Sequence, residues 1–298
     1  MSAANTEKLH QEAGGLDQQP PASIAALLAG AQVEAAQSVH HAIPSLCTGA
    51  LAMAETLRAG GTLYYVAAGS SGLMAAADAM ELGGTFGIPA SQIRILMAGG
   101  LPRDAEMPGD TEDASESLSR DMALLTARDT VIAVSASGTT PYTLTAAKLT
   151  KAAGATLIGI ANNAGSALSR AADHDVLLPT PPEVLSGSTR MGAGTAQKIA
   201  LNTLSTLMAV HLGHVHDGMM VNLRADNIKL RGRAMGIVQA VTGLPEASAR
   251  DALDAAHGRV KQAILIGHGV KTAEAADALL NQTAGQLRPA LARLSGET

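Results

Sequence analysis

Aromatic side chains are nearly missing from this chain of 298 residues, which has no Trp, one Phe and three Tyr. Stacking platforms for nucleobases or sugar faces are therefore scarce. The core has to be filled by Ala, Leu, Val, Ile and the 12 Met. A single cysteine, Cys47, excludes an internal disulfide framework and a thiolate-rich zinc site. Basic residues do not cluster: 21 Lys and Arg stand against 26 Asp and Glu, a formal net charge of −5. Nothing in that balance tracks a phosphate backbone, so no nucleic-acid partner is expected. Long apolar runs are missing too. The stretch from Thr130 to Ala136 falls far short of the roughly 20 residues of a membrane helix, and no membrane span is expected. The opening residues, Met1 to Asn5, lack the charged and apolar regions of a signal peptide, so a reducing cytoplasm is the expected compartment. With 47% hydrophobic and 16% charged residues the chain is not disordered along its length. That length suits one large domain and a smaller one.

What is present changes rhythm along the chain. Residues 1–23 are polar, with Gly14-Gly15 and Pro20-Pro21, and read as an irregular arm that packs only in an assembled form. Helical spacing runs from Ile24 to Arg58 with a break near Pro44, ending at Gly60-Gly61. Short β-rich runs follow: Leu63 to Val66, Ile93 to Met97, Val131 to Val134, Thr156 to Ile160 and, more weakly, Val176 to Leu178. Helix-like stretches alternate with them. This pattern predicts a doubly wound α/β fold with a five-stranded parallel sheet buried on both faces. Two long helices are expected over Thr189 to Leu212 and Met219 to Ala240. Three short amphipathic pieces, Glu246 to Ala256, Val260 to Gly267 and Ala273 to Ala284, then suggest a helical bundle. The expected organisation is an arm over 1–23, an α/β domain with flanking helices over 24–240 and a bundle over 241–298.

In open α/β sheets ligands bind beyond the carboxyl ends of the strands. Three segments there are rich in hydroxyls and glycine: Ala68-Gly69-Ser70-Ser71-Gly72, Ser135-Ala136-Ser137-Gly138-Thr139-Thr140-Pro141 and Ser186-Gly187-Ser188-Thr189-Arg190. Each can offer backbone N–H groups and hydroxyls to a phosphate without a metal. For any one segment, plain helix capping explains the same residues. No Gly-Lys-Ser/Thr occurs and the first segment is not Gly-x-Gly-x-x-Gly, so a nucleotide triphosphate or dinucleotide loses its main support and a phosphorylated small molecule remains. Glu81 sits in an otherwise apolar helical stretch, either as a desolvated general acid or as a solvent-facing residue. The acidic run from Asp110 to Glu116 reads locally as a solvated helix start, and Glu183 precedes the third hydroxyl segment. His211, His214 and His216 crowd a helix end without the acidic or thiol partners of known zinc signatures, so no metal is assigned. Lys198 is an anion contact or a snorkelling side chain.

These segments carry a resemblance. Ala68-Gly69-Ser70-Ser71-Gly72, Glu81 with Thr85-Phe86-Gly87, Ala98-Gly99-Gly100, Thr111-Glu112-Asp113 and the Ser135 to Tyr142 turn resemble the SIS (sugar isomerase) phosphosugar-binding superfamily. Above all, Leu185-Ser186-Gly187-Ser188-Thr189-Arg190 with Gly194-Thr195-Ala196-Gln197-Lys198 is similar to the N-acetylmuramic acid 6-phosphate etherases within it. The resemblance extends to the C-terminus, including the bundle.

The resemblance implies cofactor-independent cleavage of the D-lactyl ether of N-acetylmuramic acid 6-phosphate, a carbon–oxygen lyase reaction. Glu81 would protonate the departing lactate and Glu112 would handle the C2 proton or the water. Ser70, Ser71, Ser137, Thr139 and Thr140 would hold the phosphate, and Glu183 and Ser188 would line the sugar. The implied partners are a small-molecule phosphosugar and a second copy of the chain, as a homodimer. Two other activities fit the same superfamily: a non-catalytic phosphosugar-binding regulator, and an aldose–ketose phosphosugar isomerase with Glu183 as base. The sequence departs from the etherase pattern at Leu73 and Thr139, where arginine is usual, at Leu82-Gly83-Gly84 in place of Cys-Pro-Pro, and at Thr6-Glu7-Lys8-Leu9-His10 near the start. Arg grips a carboxylate or phosphate bidentately better than other residues do, so these losses bear on the choice of ether and sugar.

Overall fold

A computed structural model describes residues 5–107, 115–225 and 227–296. Two helices come first, α1 (Pro21–Gln37) and α2 (Ile43–Arg58), joined by a 3₁₀ turn over Ser38–Ala42. Pro21 opens α1, where a missing N–H costs nothing; the helix therefore starts inside the stretch that reads as an irregular arm. The alternating region then gives β1 (Leu63–Ala67), α3 (Gly69–Phe86), β2 (Ile93–Met97), α4 (Ser115–Asp121) and β3 (Thr130–Ser135). It continues through α5 (Pro141–Ala153), β4 (Thr156–Ala161), α6 (Ala167–Ala171), β5 (His174–Leu177) and α7 (Gly192–His211).

The five strands form one sheet in the order β2-β1-β3-β4-β5, and every pair is parallel. This is the doubly wound arrangement that the alternation of runs predicts. All residues of β1 and β3 are buried. Side chains such as Val66, Val131, Ile132 and Val134 pack on both faces, which explains why these strands read as continuous apolar runs. Burying each such side chain is worth about 1.5–3 kcal/mol. In this strand order the direction of winding reverses between β1 and β3. The turns after these two strands therefore flank the crevice where such sheets take ligands.

After α7 the chain departs from the expected single helix over Met219 to Ala240. Val215–His216 (β6) and Met219–Met220 (β7) pair as an antiparallel hairpin, and helix α8 starts only at Ile228 and ends at Thr242. Asp217 and Gly218 both have positive φ, 46° and 75°, as a two-residue hairpin turn of the mirror-image type requires. Asp-Gly between two short strand segments is a strong hairpin signal, and it overrides the helical spacing of the methionines. The remaining helices are α9 (Glu246–Ala255), α10 (Val260–Gly267), α11 (Ala273–Gln282) and α12 (Leu287–Ser295), the last beyond the three pieces expected.

The chain divides into two compact units, 1–79 with 91–205, and 80–90 with 206–298. The second has its own core, in which Val238, Leu253, Ile264, Leu280 and Leu287 meet. Within it the buried Lys261 donates to the carbonyls of Gly213 at 3.3 Å and Gly285 at 3.0 Å. Burial pulls its ammonium pKa down to about 8. Among the described residues no helix is long and apolar enough to cross a membrane.

Candidate active site

The turn after β3 is the most completely built of the three hydroxyl segments. The Ser135 hydroxyl, at the buried end of β3, meets the Thr140 hydroxyl at 2.8 Å and the Ser137 hydroxyl at 3.3 Å, and accepts the Gly138 N–H at 3.0 Å. Ser137 in turn accepts from the N–H and the hydroxyl of Thr139, at 3.1 and 3.0 Å. Gly138 has φ +68°, and a Cβ there would lie 2.2 Å from the Ser166 Oγ. Only glycine allows both that backbone and that approach. Thr140 is the residue before α5, with Pro141 at its first position. The first-turn N–H groups of α5 have no partner within the helix. The structure thus brings Ser137, Thr139 and Thr140 together with a helix N-terminus on one short turn. Thr139 is exposed where the etherase pattern has arginine.

The turn after β1 lies next to it in the sheet. α3 begins at Gly69, so Ser70 and Ser71 belong to its first turn, Ser70 half-buried and Ser71 buried. A Cβ on Gly72 would press on the Met97 side chain at 2.9 Å, which sets how near the start of α3 comes to the end of β2.

The carboxylates divide sharply. Glu183, only 4% exposed, accepts the N–H groups of Gly192 at 2.9 Å and Ala193 at 2.8 Å, so both of its oxygens cap the start of α7. Ser188 stands half-buried in the turn between them, its carbonyl accepting the Met191 N–H at 3.0 Å. Glu81 is exposed on the later part of α3. Glu112 lies outside the described residues. Lys198 is exposed on α7 and donates to Asn202.

One carboxylate that pattern reasoning passed over is the most enclosed on α3. Asp78, 4% exposed, accepts from the Tyr65 hydroxyl at 3.0 Å, Asn202 Nδ2 at 2.7 Å and the Ser205 hydroxyl at 2.8 Å. Burial pushes its carboxyl pKa up, against the opposing pull of those three hydrogen bonds and of Lys198. It ties β1, α3 and α7 together. A second omission is Asn163, in the polar Asn162-Asn163-Ala164-Gly165-Ser166 segment after β4. Its amide holds the carbonyls of Ala136 and Ser137 from below, at 3.3 and 3.4 Å. A polar segment at the carboxyl end of a strand was the available signal.

Comparison with known proteins identifies the family. Residues 105–212 match the SIS domain family. A solved structure of a protein from E. coli CFT073 superposes with a TM-score of 0.50 at 16% identity, covering 67% of this chain and 97% of that one, a likeness of fold. The N-acetylmuramic acid 6-phosphate etherase of Streptomyces avermitilis is 40% identical over 294 residues, spanning 98% of this chain and 94% of that protein. That of Deinococcus radiodurans is 43% identical over 277 residues, spanning 92% and 91%. The chain belongs to the N-acetylmuramic acid 6-phosphate etherase family.

Proposed function

We infer that this protein is an etherase that splits the D-lactyl ether of N-acetylmuramic acid 6-phosphate into N-acetylglucosamine 6-phosphate and D-lactate. The observation that carries this reading is family membership over 98% of the chain at 40% identity. The hydroxyl-rich turns after β1 and β3 supply the phosphate chemistry that such a substrate needs.

The reaction is redox-neutral. Opening the sugar to its aldehyde acidifies the C2 proton, and a carboxylate takes it. The C3–O bond then breaks, and the departing lactate oxygen receives a proton. Water adds to the resulting double bond, its hydroxyl going to C3 and a proton returning to C2. In our reading Glu81 protonates the lactate, and its exposure suits a group that must meet a ligand. Glu112 serves C2 or the water. Ser70, Ser71, Ser137, Thr139 and Thr140 hold the phosphate, and Ser188 lies at the sugar with Glu183 bracing the start of α7 behind it. A 6-phosphosugar does not cross membranes unaided, so the enzyme works in the cytoplasm, in recycling of peptidoglycan sugars.

The enzyme acts as a homodimer in this reading. Supporting it, α1 carries Glu34 as its only charged residue, buries Ala35 alone and leaves Val33 62% exposed. A second copy is the occupant that would cover such a helix. Val33→Glu is expected to shift the dimer to monomer in sedimentation equilibrium; an unchanged mass removes α1 from the interface.

The deciding experiment is D-lactate release from N-acetylmuramic acid 6-phosphate, with Glu81→Gln alongside. Release by the wild type and its loss in the variant are expected. Binding of the phosphosugar without release, or appearance of a ketose phosphate, would overturn the etherase reading.

A further inference from the structure

The first described residues of the chain are docked, not dangling. Asn5–Glu7 form a 3₁₀ turn in which Thr6 is 4% exposed. The Thr6 N–H donates to Asn163 Oδ1 at 3.3 Å, and Asn163 Nδ2 donates back to the Thr6 hydroxyl at 3.0 Å. Asn5 Nδ2 donates to the Thr180 carbonyl at 2.7 Å. The start of the arm therefore packs on its own chain, where the sequence suggested packing only in an assembly. It can do so because the ends of β4 and β5 present amide and carbonyl groups that no strand neighbour satisfies.

Asn163 is the centre of this arrangement. The amide nitrogen that meets Thr6 also approaches the Ala136 carbonyl at 3.3 Å and the Ser137 carbonyl at 3.4 Å. Its neighbour Asn162 donates its backbone N–H to the same Ala136 carbonyl at 3.0 Å, and Gln197 on α7 donates to the Asn162 side chain at 2.9 Å. A peptide unit is planar and trans, so pinning a carbonyl fixes the N–H on its far side. Holding the Ala136 carbonyl aims the Ser137 N–H, and holding the Ser137 carbonyl aims that of Gly138.

We propose that Asn163 is a positioning residue for the Ser135–Thr140 turn and that Thr6, on the N-terminal arm, is the latch that orients it, so that the arm governs affinity for the phosphosugar. The inference rests on the reading that this turn receives the phosphate. Asn163 has its carbonyl oxygen on the arm and its amide shared between arm and turn. Without Thr6 the amide loses the two contacts that select its rotamer, and it can swing away from the turn. The consequence falls on ligand binding, since none of these groups is placed to move a proton.

The test uses the full chain with any tag at the C-terminus. Wild type, Thr6→Val, Thr6→Ser, Asn163→Ala and Ser137→Ala are compared by KM and kcat for N-acetylmuramic acid 6-phosphate, Kd for N-acetylglucosamine 6-phosphate, and melting temperature. Thr6→Val is isosteric and lies on the arm, so it folds even if Asn163→Ala does not. It is expected to raise KM and Kd together by about three- to tenfold, the worth of one neutral hydrogen bond, with kcat within about twofold. Thr6→Ser, which keeps the hydroxyl, is expected to restore both. Asn163→Ala should weaken binding at least as much. If Ser137→Ala weakens binding while Thr6→Val leaves KM and Kd at wild-type values, the latch is overturned and the phosphate reading survives. A lowered melting temperature with unchanged Kd in Thr6→Val would reduce Thr6 to a structural contact, which also overturns it. If Ser137→Ala leaves Kd unchanged, the phosphate reading fails and the inference falls with it.

Discussion

Asp78 and Glu81 stand one turn apart on the same helix and have opposite circumstances. Asp78 is buried under three hydrogen bonds from Tyr65, Asn202 and Ser205, while Glu81 is exposed. An apolar helical stretch containing two carboxylates says that one of them needs a buried polar environment, without saying which. The partners decide it. Asp78 meets donors on β1 and α7, so its carboxylate is consumed in holding elements together, whereas Glu81 keeps its oxygens accessible to a ligand. An enclosed carboxylate is thus a joint here, and the exposed one is the better candidate for proton transfer.

The largest expected effect sharpens this contrast. Glu81→Gln should lower kcat for D-lactate release by about 10²- to 10⁴-fold, the range for a general acid, with the urea midpoint and phosphosugar binding unchanged. A variant that keeps full turnover breaks the comparison. Asp78→Ala should do the reverse kind of damage. It leaves the Tyr65 and Ser205 hydroxyls and the Asn202 amide facing an unfilled acceptor site, and is expected to cost about 3 kcal/mol in urea unfolding. Stability that stays at the wild-type value would show that the three donors find other partners.

Two pH profiles give slopes of opposite sign, each gentle per pH unit. Lys261 has its pKa lowered by burial to about 8 from 10.5. Between those values the unfolded chain holds more protons than the folded one, so stability rises with pH, by at most about 1.4 kcal/mol per pH unit. Unfolding free energy measured from pH 8 to 10.5 should show that rise, and Lys261→Met should remove it; an equal slope in both proteins counts against a strained ammonium. Asp78, with its carboxyl pushed above the usual 3.8 by burial, gives the converse. There the folded chain holds the extra proton, so stability falls as pH rises through the carboxylate range. Asp78→Asn should flatten that part of the profile. A profile that matches wild type would mean that the hydrogen bonds cancel the burial at this site, and a wild-type slope of the opposite sign would mean that they dominate.

Much of the fold was legible because its signals are local. The central strands β1, β3 and β4 are short runs of mostly apolar residues, and the runs predicted at Leu63, Ile93, Val131, Thr156 and Val176 all lie in strands or at their ends. The turn after β3 was legible for the same reason, since Ser135, Ser137, Thr139 and Thr140 are near neighbours in the chain and bond mainly to one another. The stretch from Met219 was misread because helical spacing of apolar residues outweighed the two turn residues before it. Glu183 could be singled out, but not its occupation by the N–H groups of Gly192 and Ala193. Asn163 gave no periodic signal at all.

By itself, then, the sequence determined the strand and helix alternation, the hydroxyl turns at the carboxyl ends of β1 and β3, and membership of a phosphosugar-acting family. Only the tertiary structure decided that Asp78 and not Glu81 is enclosed, and that Thr6 reaches Asn163 across 157 residues of chain. The physical reason is the range of the interaction. Periodicity and turn chemistry are set by residues a few positions apart, but a buried polar group takes whatever partner the packed elements bring to it.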